Sequence, residues 1–109
     1  MKAPNKIPEK GFYYHYKHDP KGPVNNYAYE VVGVGHHTEE EGKYFVVYRP
    51  LYESSVYKAG KLFDIRPIGM FMEDVAKEGK KFARFLKITD PKTIAELQKI
   101  KKEMYGGNI

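Results

Sequence analysis

A chain of 109 residues, 41% hydrophobic and 30% charged, has the length and balance of one soluble globular domain, which argues against a wholly disordered chain and leaves no room for separate cofactor and substrate domains. With no cysteine it has no disulfides, no thiolate metal site and no Cys nucleophile. Its net charge of +5 is uneven: residues 1–75 hold 10 basic and 10 acidic side chains, whereas residues 76–109 hold 9 basic and 4 acidic ones.

The first ten residues, with two Pro, three Lys and little apolar content, read as a flexible N-terminal arm, followed by one domain over 11–109. MKAPNKIPEKG has no apolar segment of the kind a secretory signal needs, and no apolar run approaches the roughly 18 residues of a membrane span. The expectation is a cytoplasmic protein that does not meet a membrane. GFYYHYK at 11–17 reads as a first strand, with Phe12, Tyr14 and Tyr16 on one face and Tyr13, His15 and Lys17 on the other. HDPKGPVNN at 18–26 is a loop by its Pro, Gly and Asn content. Residues 27–37 and 44–49 pair as a hairpin around the acidic tip TEEEGK, and Gly33 and Gly35 mark a bend, a bulge or a close backbone approach. A second long loop covers 51–61, a short strand covers 62–66, and IGMFMEDV forms a helical turn after Pro67. Glu78-Gly79-Lys80 is a turn, and FARFLKI at 82–88 is a fifth strand. The period then changes. Ile94, Leu97, Ile100 and Met104 recur at steps of three and four, Thr89 or Asp90 can cap, Pro91 suits a first helical position, and Gly106 stops the helix. Four or five strands and a terminal helix over 90–105 give a mainly β fold: a small, strongly bent antiparallel sheet or a partly open SH3-like or PUA-like barrel.

Motifs for enzyme chemistry are thin. No spaced His pair has metal-ligand geometry, so a metal site would have to be assembled across strands from His15, His36 or His37 and a carboxylate; no metal and no other cofactor is expected. Gly33-Val34-Gly35 lacks the third glycine of a dinucleotide fingerprint, and Ser54-Ser55 lacks a nucleophile-elbow context. More informative are two strands that end in Arg-Pro, at Arg49-Pro50 and Arg66-Pro67, with tyrosines nearby. A guanidinium fork suits phosphate or a base edge, and a Tyr ring suits stacking. The plainer alternative is that each arginine fixes a loop by pairing with Glu73, Asp74 or Glu30.

Taken with GFYYHYK, these motifs resemble a small bacterial family, Domain of Unknown Function 1653. The family start G-x-Y-x-H-Y-K is matched by Gly11, Tyr13, His15, Tyr16 and Lys17. A Y-x-V strand and an H-[ST]-E turn are matched by Tyr29, Val31, His37, Thr38 and Glu39. V-V-Y-R-x-L-Y is matched by Val46, Val47, Tyr48, Arg49, Leu51 and Tyr52, and R-P-x-x-M-F-x-E by Arg66, Pro67, Met70, Phe71 and Glu73. Arg84 and Phe85 match a final R-F pair, so the resemblance spans about residues 11–88. The chain departs from the pattern in its longer loops at 18–26 and 53–61, in His36 where the family usually has Arg, and in Phe63 where it often has Trp. The resemblance implies a compact domain and no established reaction.

The leading expectation is a ligand-binding module for a nucleotide or nucleic acid, carried by His15, Lys17, His37, Tyr48, Arg49, Tyr52, Arg66 and Glu73. Arg and Lys would hold phosphate, Tyr rings would stack on a base, and the basic last third would add salt-sensitive attraction. On this reading Arg49→Ala and Arg66→Ala each weaken binding without unfolding the domain. One alternative is a small hydrolase with His15 or His37 as base and Glu73 as orienting group. Another is a protein–protein interaction module using the terminal helix. The oligomeric state is not legible.

Overall fold

The computed structural model describes residues 6–107. Among them the fold is mainly β, with strands β1 (Gly11–His15), β2 (Ala28–His36) and β3 (Tyr44–Pro50), then a helical turn α1 (Ser55–Lys58) and strand β4 (Asp64–Pro67). A second helical turn, α2 (Ile68–Met72), leads to β5 (Asp74–Lys77), β6 (Lys80–Ala83) and β7 (Phe85–Lys87), and helix α3 (Pro91–Tyr105) follows. Five strands form one antiparallel sheet in the order β4-β3-β2-β1-β7, while β5 and β6 pair as a separate hairpin. The large sheet is open, with β4 and β7 as its edges, so it does not close into a barrel. Of the expected N-terminal arm, residues 1–5 lie outside the described residues. Within the rest, the Glu9 carbonyl accepts a 2.8 Å hydrogen bond from the Tyr13 hydroxyl.

Strand alternation sends side chains to two layers. On one face Phe12, Ala28 and Leu51 meet Ile88, Leu97 and Tyr105, so α3 is seated on the sheet and its apolar stripe is used there. On the other face Tyr13, Val31, Val46 and Tyr48 pack with Phe71 of α2 and Phe85 of β7. The two layers keep a common phase along β2 because of a bulge between Val31 and Gly33. A Cβ at Gly33 or Gly35 would meet nothing within 4 Å, so neither glycine marks a close backbone approach; the bulge adjoins Gly33, and Gly35 lies in regular pairing opposite Phe45.

Helix α3 has the expected bounds. Asp90 is its cap, accepting hydrogen bonds from the Thr93 amide at 3.0 Å and the Thr93 hydroxyl at 2.7 Å, and Pro91 opens the first turn. The expected single strand over 82–88 is instead two strands that meet at Arg84. There the chain changes partner: the Arg84 amide donates to the Glu73 carbonyl, and the Arg84 carbonyl accepts from the Tyr16 amide. Glu78 and Gly79 both have positive φ, 52° and 75°, as a two-residue turn requires when its twist matches the strands it joins.

Candidate functional site

Five elements end at the same edge of the second layer, where they enclose a cavity of about 240 Å³. His15 comes from the end of β1, Tyr29 from the start of β2, Tyr48 from the end of β3, Asp64 and Arg66 from β4, and Phe85 from β7. Antiparallel pairing makes these positions coincide, since Tyr48 faces Asp64 across one ladder and His15 faces Phe85 across another. The loop after β3 completes the wall with Tyr52 and Ser54, and the start of α1 with Ser55 and Val56. Ser54 is partly committed, because its hydroxyl oxygen accepts the Tyr57 amide and caps α1.

The cavity walls are aromatic, and most ring pairs meet edge to face: Tyr29 with Tyr48 at 5.5 Å, Tyr29 with Tyr52 at 5.6 Å and Tyr48 with Phe85 at 5.4 Å between centroids. The Tyr29 and Tyr52 hydroxyls share a 2.5 Å hydrogen bond. Burial, reinforced by that bond, pushes the Tyr29 phenol well above its ordinary range, and burial also raises Tyr52. Both hydroxyls therefore stay neutral. Arg66 Nε donates to the Tyr48 hydroxyl at 3.1 Å, and its guanidinium lies 5.6 Å from the Phe85 ring centre. Burial raises the Asp64 carboxyl, while Arg66 opposes the rise.

His15 is the most perturbed base of the site. Burial first, then the positive charges of Lys17, Arg66 and Arg84, lower its pKa to about 4. Its Nδ1 accepts the Lys17 amide at 3.2 Å, which places the proton of the neutral ring on Nε2. The cavity thus holds a neutral imidazole donor within the field of three cations.

The structure brings together four of the eight residues expected in a site: His15, Tyr48, Tyr52 and Arg66. Lys17 is exposed and acts on His15 through its charge. Glu73 is tied to Arg84, with Oε1 accepting from Nη2 at 2.7 Å, so it joins the site only through that arginine. His37 lies elsewhere, at the β2–β3 tip, where its Nδ1 accepts the amides of Glu39 and Glu40. Neither His15 nor His37 has Glu73 as a hydrogen-bond partner among the contacts of the described residues.

Arg49 faces the opposite layer, which corrects the expectation that the two Arg-Pro arginines share a pocket. Only 2% exposed, it donates from Nε to Glu30 Oε1 at 2.9 Å and lies 4.0 Å from the Tyr105 ring centre. Glu30 Oε2 also meets Lys101 of α3 at 2.5 Å. The reason is strand phase: Arg66 pairs opposite Val46 and shares its layer, whereas Arg49 is an odd number of residues from Val46. Asp64, Tyr29 and Phe85 were missed by reading the sequence. Asp64 was recoverable, because it stands two residues before Arg66 on one strand and so points the same way.

Among the described residues no three His, Asp or Glu gather to hold a metal ion, and no helix is long and apolar enough to cross a membrane. Residues 11–87 match the family described as Protein of unknown function (DUF1653). The chain belongs to this family. The match runs from the first residue of β1 to the last of β7, so every cavity residue falls inside it and α3 falls outside. No curated protein and no solved structure matches the chain.

Proposed function

We propose that this chain is a ligand-binding module for a nucleotide or nucleic acid, taken at the cavity bounded by His15, Tyr29, Tyr48, Tyr52, Asp64, Arg66 and Phe85. The observation that carries this reading is the convergence of Lys17, Arg66 and Arg84 on a neutral His15 beside a tyrosine-lined cavity. Aromatic walls suit a planar base, and cations at the same place suit a phosphate. The polar groups offer both senses of hydrogen bond: Asp64 accepts, while the Nε2 proton of His15 donates. A cationic ligand would meet Arg66 in the wall, which disfavours the use of these rings as a cage for an ammonium group.

The test is fluorescence anisotropy with labelled single-stranded and duplex DNA and RNA at low and moderate salt. Binding that keeps a strand or base preference at moderate salt, and that Arg66→Ala and Tyr52→Ala weaken about tenfold, supports the site. Binding that vanishes with salt, or that both substitutions leave intact, reduces it to nonspecific attraction.

A further inference from the structure

Tyr27 precedes β2 and is the last residue of the long loop after β1. Its φ is 51°, in the left-handed region that Gly, Asn and Asp enter readily and an aromatic residue seldom does. Among the described residues the other non-glycine positions with positive φ, Lys61 and Glu78, are polar and each adjoins a glycine. Tyr27 is the third residue of a turn that the Ala28 amide closes on the Asn25 carbonyl, a position that favours Gly or Asn, and no glycine adjoins it. The residue is 38% exposed and belongs to neither core layer.

The surroundings hold this conformation firmly. Asn26 binds the loop to itself, accepting the Asp19 amide at 2.8 Å through Oδ1 and donating to the Asp19 carbonyl at 2.9 Å. The Tyr27 carbonyl accepts the His15 amide at 3.0 Å, and the next amide, that of Ala28, donates to Asn25 at 3.1 Å. Strain that a network fixes in place is characteristic of working sites. Here it places the Tyr27 ring beside two cavity walls, 5.8 Å from the His15 ring and 5.8 Å from the Tyr52 ring. Tyr27 does not itself line the cavity. It is a half-exposed neighbour of those two walls.

The size of the cavity decides what meets that ring. At about 240 Å³ it is smaller than the roughly 300–1,000 Å³ of pockets that enclose a drug-sized ligand. A planar head group enters and the rest of the ligand stays outside, against Tyr27. We infer that Tyr27 is a stacking platform for the base next to the one in the cavity, so that the site takes single-stranded nucleic acid in preference to a free mononucleotide. This rests on the binding reading given above and adds the ligand class.

The test uses the full chain, Tyr27→Asn, which suits positive φ without a ring, and Tyr27→Phe, which keeps the ring. Thermal unfolding is measured alongside affinity for a fluorescein-labelled single-stranded ten-nucleotide RNA and its DNA equivalent, with nucleoside monophosphates as competitors. The expected result is a preference for the oligonucleotide that falls about tenfold in Tyr27→Asn, is restored in Tyr27→Phe, and comes with a melting temperature at or above that of the unaltered chain. Oligonucleotide binding unchanged in Tyr27→Asn overturns the inference, as does a melting temperature several degrees lower, which would make the ring a support of the fold. Mononucleotides bound as tightly as oligonucleotides by the unaltered chain overturn it while leaving the binding reading intact. No binding of either probe overturns both.

Discussion

Tyr48 and Arg49 are neighbours in the chain and work in different layers, so substitutions at the two arginines of the Arg-Pro pairs should have different effects. Removing one partner of a buried ion pair costs about 3–5 kcal/mol, because the other charge is left without full compensation. Arg49→Ala therefore lowers folding stability by an amount of that order, even with Lys101 still beside Glu30. Arg66→Ala, at a partly exposed wall, changes stability by about 1 kcal/mol or less. Urea unfolding of both variants checks the contrast, and equal midpoints would contradict it. His15 gives a second prediction. Its folded pKa of about 4 lies below its ordinary 6.5, so the unfolded chain takes up a proton that the folded chain refuses. Stability from the neutral ring is complete above the unfolded value and is lost as pH falls through the interval from 6.5 to about 4. Urea midpoints at about pH 7.5 and about pH 5 should fall more steeply in the unaltered chain than in His15→Gln. An identical pH slope in both would remove the histidine from the account. On the other face, Tyr105 donates to the Pro50 carbonyl at 2.6 Å, and burial pushes its phenol up to about 12, so that tie stays protonated throughout this range.

Among the elements, α3 was the most legible in the sequence and β6 and β7 the least. The helix announces itself by apolar spacing, a capping Asp, a Pro at the first position and a terminal Gly, all of them local signals. FARFLKI holds no Gly or Pro to break it, and nothing local says that the chain changes partner at Arg84, because that change is fixed by the distant Glu73 and Tyr16. The α1 turn falls in a segment whose sequence reads as loop, since four residues have no visible period. The cavity was half legible for a related reason: residue types pointed to the right strands, but which face a strand end presents depends on register and on the bulge in β2. Packing of α3 carries a prediction of its own. Leu97 is fully buried against Phe12, Ala28 and Leu51, and Leu97→Ala should cost about 2–5 kcal/mol. The same substitution should leave nucleic-acid affinity unchanged, because Leu97 lies across the sheet from the cavity. A loss of affinity in a folded Leu97→Ala chain would show that the two layers are coupled.

At the scale of the whole molecule the sheet divides the charge as well as the core. Lys101, drawn to Glu30, and its neighbours Lys99 and Lys102 belong to the α3 side. The positive field at the cavity comes from Lys17, Arg66 and Arg84 instead. Basic excess in the last third of the chain is therefore mostly remote from the proposed site. The division also sets what changes of length the chain can absorb. Adjacent residues of the central strands face different ways, so deleting one residue within β3 would turn Tyr48 toward the helix and Arg49 toward the aromatic wall, spoiling both layers at once. An inserted residue at the exposed Glu39–Glu41 tip would reorient neither layer. The bulge between Val31 and Gly33 shows how such a change is accommodated inside a strand: Val32 is the additional residue, and by absorbing it β2 resets its phase so that Val34 returns to the layer of Val31.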